Sequence, residues 1–384
     1  SLFENLYLNI FAPASLDSTA LKPVYVHIHG GNFLEGTSTD DLYDGSYLAR
    51  KGVIVVTVEY RDNAFGFASV EGKTNFGIED QILALKFVRD HIKSFGGDPT
   101  NVTVGGDGSG NVCVTSLFYN AEAKNLFNKA IINEQTIFNK CDYFTPNESV
   151  SDATERIFED LDLKDATSKQ IYEANENGES FKFKNSLYPS FDGTVVKSTN
   201  ENEIAKQLKP FSEYDVLIGF SRQYVKDFFE KEVYIKSETY DDDIEETFNY
   251  GMLTPLYNIA KFAKTAYMFK LDVDNIKIPT QNRFVSIETP FIFNNWNSLD
   301  GEQVSAEAYG IGDKLSDIFV NFISGKNVRT PIIEMPKFKT DANEGNYVSI
   351  TSDGKFQKSE FTQEEKDITT CDYLFEDNYS IEAE

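Results

Sequence analysis

Few side chains in this sequence can move protons near neutral pH. There are three histidines, His27, His29 and His91, and three cysteines, Cys113, Cys141 and Cys371. Imidazole is the group whose ordinary pKa lets it take and return a proton at that pH. His27 and His29 lie two apart in an apolar run, so a strand sets both on one face, a spacing that could hold a metal. No further histidine and no nearby cysteine completes a ligand set, and a hydrogen-bonded structural pair is the reading adopted. His91 ends a helical pattern whose opposite face is apolar, and reads as a surface or boundary residue.

Gly106-Asp-Gly-Ser-Gly110 is the second segment with chemical content. A tight G-x-S-x-G turn from strand to helix holds a serine hydroxyl exposed for attack on a carbonyl. Here the central position is Gly108, which has no side chain to attack with. Ser109 falls one place late, where a backbone N–H serves the oxyanion hole, so a shifted nucleophilic role is not adopted for it. In hydrolases built on this turn the histidine follows the nucleophile in the chain. No histidine follows His91 in this sequence.

The chain that must position these residues has 384 of them, with 62 acidic against 36 basic and a net charge of −26. It is 40% hydrophobic and contains 32 Phe, enough to bury a large core, which excludes disorder. Such acidity also excludes a basic surface for nucleic acid. The longest apolar runs, such as Val53–Val58, are strand-sized, so no membrane span is expected. The sequence opens at Ser1 without a basic or apolar leader, and reads as a processed or trimmed chain.

Three N-x-[ST] sequons occur, at Asn101, Asn147 and Asn378. Asn101 stands at a strand entrance, whereas Asn147 and Asn378 lie in polar segments and are the better glycosylation candidates. Cys113 falls on an apolar helix face and reads as a small core thiol. Cys141 and Cys371 are left as a candidate long-range disulfide whose geometry sequence cannot supply.

Runs of β-branched residues predict strands over Leu6–Phe11, Val24–His29, Val53–Val58, Val102–Gly105, Ala130–Asn133, Val216–Gly219 and Ala266–Phe269. Ile78, Ile82, Leu85, Val88, Ile92 and Phe95 recur at helical spacing and stop at Gly96-Gly97-Asp98-Pro99. A second amphipathic helix carries Leu315, Ile318, Phe319, Phe322 and Ile323 before Gly325. Alternating β and α elements imply an α/β fold with a mostly parallel sheet covered on both faces. With no repeat or low-complexity linker, residues 1–384 read as a single domain. The acidic run Asp241–Asp243 with Glu245 and Glu246 lacks the glycine turn of a calcium loop and reads as a solvated helix face.

Several motifs in fixed order resemble the type-B carboxylesterase and cholinesterase family. They are Leu6–Ile10 ("LYLNI"), His29-Gly-Gly-Asn-Phe33 ("HGGGF"), Glu59-Tyr-Arg61 with Phe65-Gly-Phe67 ("NYR…GF"), Asn75-Phe-Gly77, Asp80-Gln81, Phe95–Pro99 and Gly106–Gly110. Weaker echoes follow at Asp192-Gly193, Leu217–Gly219, Glu288 with Phe291–Phe293, Asn321-Phe322 and Cys371-Asp-Tyr373. The resemblance spans nearly the whole chain except for the family's stretch before "LYLNI". It implies an α/β-hydrolase fold and a nucleophile–acid–histidine triad. Counting along the motifs puts the nucleophile on Gly108, the acid on Tyr224 and the histidine on Val285. A triad so depleted loses turnover on the order of a million-fold, and an oxyanion hole alone retains roughly a thousandfold over water. An enzyme is therefore not expected.

What remains of the oxyanion loop is Gly30, Gly31, Asn32 and the amide of Ser109, read as kept for packing. The resemblance then points to the non-catalytic branches of the family, extracellular recognition and adhesion domains of the neuroligin and neurotactin kind. It implies a secreted or extracellular glycoprotein with protein partners, no nucleic acid and no cofactor or metal. The Leu315–Ile323 helix is the candidate for a homotypic contact, though core packing accounts for its stripe equally well. A structural or storage subunit is the first alternative. A small-molecule carrier using the vacant gorge is the second, weakened by the short stretch between Tyr224 and Val285 that helps wall that gorge.

Overall fold

Strands β3 (Ile54–Val58) and β5 (Lys129–Asn133) are buried at every position. Helices cover both faces of the sheet they belong to, which is why these strands read as unbroken apolar runs. The computed structural model describes residues 6–15, 20–138, 150–159, 161–177, 201–228, 247–273, 286–296, 304–340 and 345–369, with 187, 189, 244 and 276.

The other strands are β1 (Leu8–Phe11), β2 (Lys22–Ile28), β4 (Gly97–Gly106), β6 (Asp215–Phe220), β7 (Thr265–Asp272), β8 (Tyr347–Thr351) and β9 (Phe356–Ser359). They form one sheet in the order β1-β3-β2-β4-β5-β6-β7-β8-β9. From β3 to β8 all neighbours run parallel, while β1 against β3 and β9 against β8 are antiparallel. The chain leaves β2 for β3 on one side and returns to β4 on the other. That reversal opens a crevice beyond the carboxyl ends of β2 and β4, where α/β sheets place their sites.

The helices that frame the crevice are α1 (Phe76–His91), α2 (Ser109–Leu117), α3 (Arg222–Phe228), α4 (Thr254–Phe262), α5 (Thr289–Phe293) and α6 (Ala306–Ile323). On one face of the sheet α1, α2 and α4 pack against Val24, Val26, Ile28, Ile54 and Val56. On the other, α5 and α6 pack against Tyr25, Val55, Ile131, Leu217 and Phe269. The alternation of strand side chains between faces produces this division.

Two sequence expectations need correction. Phe95 does not share the buried face of α1; it lies 42% exposed on a 3-10 turn (Ile92–Phe95) that follows the helix. The stripe Leu315, Ile318, Phe319, Phe322 and Ile323 is buried against the sheet, so it is core and not a docking face. A second copy would meet the outer side of α6, where Tyr309 is 46% exposed and Asp313 and Asp317 pair with Lys51.

Among the described residues no helix is long and apolar enough to cross a membrane. Cys113 is buried, and burial pushes its thiol up to about 12, as expected of a core thiol. His91 is exposed, its ring beside Phe87. Asn101 is half-buried and accepts a hydrogen bond from the Lys129 ammonium. Asn147, Asn378, Cys141, Cys371, Val285 and the acidic residues Asp241–Asp243, Glu245 and Glu246 lie outside the described residues.

Candidate functional site

At the end of β4 the backbone turns sharply into α2, and Gly108 takes φ +47° and ψ −126° at the corner. A side chain at that conformation would be strained, which glycine avoids. The sharp strand-to-helix turn is thus retained while the group it exists to present is not. Ser109, the next residue, is 2% exposed and accepts a hydrogen bond from the Phe33 amide at 3.2 Å. Its hydroxyl fastens the glycine-rich loop to α2.

Asp107, fully buried, fastens the same loop from the other side. Its Oδ1 accepts the Gly30 amide at 2.7 Å and its Oδ2 accepts the Tyr43 hydroxyl at 3.0 Å. Burial and then the Asp107 charge hold the Tyr43 phenol well above its ordinary pKa, so it stays a donor. Gly31, Asn32 and Phe33 all have positive φ, at +116°, +56° and +61°. A Cβ on Gly31 would come within 1.6 Å of the Glu35 carbonyl oxygen. Glycine is therefore required by the loop's own turn, not by its approach to the sheet.

His27, on β2, and His29, one residue beyond its end, occupy this region but face different partners. His27 Nδ1 is 3.0 Å from the Tyr25 hydroxyl, and its Nε2 lies 3.6 Å from Asp107 Oδ1. His29 donates from Nδ1 to the Gly30 carbonyl at 2.8 Å and stacks on Tyr60. Burial lowers the His29 pKa, so the ring is held neutral. Neither imidazole is hydrogen-bonded to Ser109.

Tyr224, where motif counting puts the acid, lies on α3 beyond β6, is half-buried and has its hydroxyl bonded to the Gln135 amide. Ser286, the neighbour of Val285 in the chain, reaches the elbow: its hydroxyl accepts the Gly108 amide at 2.9 Å. Asp107, Ser109, Asn111, Ser286 and Glu288 are all 2% exposed or less, so these side chains lie out of contact with solvent.

Sequence reasoning missed a buried pair of carboxyl groups beside this cluster. Glu134, at φ +62° just past β5, donates its amide to the Gly219 carbonyl at 2.9 Å. Its carboxyl lies beside that of Glu288. Glu288 is buried completely, and burial raises its pKa to about 7 against a smaller lowering from Glu134. Two carboxyls in contact away from water share a proton, because both cannot ionise cheaply. The available signal was a glutamate directly following the apolar run of β5.

Chemically, then, the cluster offers hydrogen bonds and a buried pair of carboxyl groups. Comparison with known proteins places this geometry. The chain is 28% identical over 406 aligned residues to the para-nitrobenzyl esterase of Bacillus subtilis (strain 168), covering 92% of this chain and 81% of that protein. It is 30% identical to Neuroligin-2 of Mus musculus over 275 residues, 62% of this chain. With Liver carboxylesterase 1 of Mus musculus it shares 44% over 141 residues, 35% of this chain. The matches span only 32% of Neuroligin-2 and 24% of the liver enzyme. A solved structure of a PNB esterase superposes with a TM-score of 0.76 at 26% identity, covering 96% of this chain and 85% of that one. Residues 4–250 match the carboxylesterase family as a whole. With a sheet order, an elbow and a glycine-rich loop that agree with that match, the chain belongs to the carboxylesterase family.

Proposed function

We propose that this chain is a catalytically inert carboxylesterase-family protein that works outside the cell by recognising another protein. One observation carries the first half: the corner of the elbow is Gly108, and its amide is already bonded to Ser286. The groups around it support the same reading. Counting along the family motifs puts Tyr224 and Val285 where the acid and the histidine would fall, and the Phe33 amide donates to Ser109. Among the described residues neither His27 nor His29 is hydrogen-bonded to Ser109, which leaves that hydroxyl without an imidazole as general base.

Similarity to Neuroligin-2 and to Neuroligin-3 of Homo sapiens supports the recognition half. Native mass and composition of the protein from its source, by light scattering with mass spectrometry, test the proposal. A monomer or simple dimer is expected of a recognition protein whose partner sits on another surface. A fixed higher-order complex would replace this reading with a structural subunit.

A further inference from the structure

Far from the elbow, a pocket of about 450 Å³ opens where the C-terminus of α4 meets the start of β7 and the extended segment 336–340. Four lysines wall it: Lys261, Lys264, Lys337 and Lys339. All four are exposed. In a chain of net charge −26 that concentration of cations needs a reason. The nearest carboxylate to Lys264 is Asp215, at 3.9 Å. Lys261, Lys337 and Lys339 make no ion pair among the described residues.

A helix C-terminus attracts cations, which accounts for Lys261 in the last turn of α4 and for Lys264 just beyond it. It does not account for Lys337 and Lys339, which come from a separate segment. That segment is held rigidly. Phe338 donates its amide to the Ala266 carbonyl at 2.8 Å, its ring meets Tyr257 edge-on, and the Asn346 amide bonds the Lys339 carbonyl at 2.6 Å. Lys337 and Lys339 are exposed while Phe338 between them is buried, as extended backbone alternation requires. Ala263 and the remaining exposed part of Phe338, 9%, give the pocket an apolar wall.

We propose that this pocket binds a phosphate or sulfate ester carried on a small ring-shaped body, such as a sugar. The ammonium groups would meet the oxyanion, each charge-assisted contact being stronger than a neutral one. The apolar wall would meet the CH face of the ring. Like charges held near one another repel, and an anion set among them relieves that repulsion, most at low ionic strength.

Calorimetric titration of the full chain tests this with glucose 6-phosphate and glucose 6-sulfate as probes and glucose as the neutral control. One ester is expected to bind saturably at one site per chain, glucose not at all. Which ester binds identifies the anion. The double substitution Lys337→Glu with Lys339→Glu should weaken binding at least about tenfold while leaving the melting temperature unchanged. Lys93→Glu, an exposed change outside the pocket, should leave binding intact. Failure of both esters to saturate a site overturns the proposal. So does an equal loss in the Lys93→Glu protein, which would mark diffuse attraction instead of a pocket.

Discussion

The Ser286 hydroxyl accepts the Gly108 amide at 2.9 Å across 178 residues of sequence, and it lies 3.5 Å from the Asn111 side-chain nitrogen. It ties the strand-to-helix turn to the segment entering α5. By resemblance to active members, these are the two parts of the chain that bring nucleophile and histidine together. Here a backbone amide meets a hydroxyl, and the contact is structural.

Restoring the missing hydroxyl should not restore catalysis. Gly108→Ser places a serine on a turn that already has the elbow's backbone angles. No imidazole follows it in the chain, and a triad lacking its base forfeits turnover on the order of a million-fold. Rates of para-nitrophenyl ester hydrolysis should match those of the unaltered protein. A clear gain in turnover would mean that another group, His27 or His29, serves as base.

The Glu134–Glu288 pair predicts a definite pH dependence. Glu288 ordinarily ionises near 4.5 but holds its proton to about 7 in the folded chain. Between those values the folded state binds more protons than the unfolded one, so stability falls as pH rises from about 4.5 to about 7 and is flat on either side. The loss is on the order of 3 kcal/mol. Glu288→Gln stays neutral throughout and should remove that slope. Urea unfolding of both proteins at pH about 4.5 and about 7.5 reads the difference. Parallel pH profiles for the two would exclude the shared proton.

Gly31→Ala tests why the oxyanion loop keeps its glycine. With φ at +116° and the Glu35 carbonyl 1.6 Å from the added carbon, the loop must rearrange. A cost of about 2–4 kcal/mol is expected, in the range of buried backbone strain and overpacking. Thermal unfolding measures it. An unchanged melting temperature would show that the turn does not depend on glycine.

Strands β3 and β5 were legible because each is covered on both faces and buried along its length, as at Ile54–Val58. The terminal hairpin was not foreseen. Strand β8 is broken by Ser349, and β9 is buried only at Phe356 and half-buried at Ser359, so neither leaves a long apolar run. The Asp353-Gly354 turn between them was the readable signal. Motif register alone put Gly108 at the strand-to-helix corner, where the structure has it. The Glu134–Glu288 pair could not be placed that way, because a glutamate reads as solvated until the fold shows what covers it. The α6 stripe failed as a docking face for a related reason: an apolar stripe looks the same whether a core or a partner covers it.

Whether the turn at Gly108 supports any chemistry is read most directly from steady-state hydrolysis of para-nitrophenyl acetate by the unaltered protein beside Gly108→Ala. Equal rates, both at the background of a folded protein without a nucleophile, are expected. Turnover by the unaltered protein above that of Gly108→Ala would contradict catalytic inertness and return the chain to the active esterases.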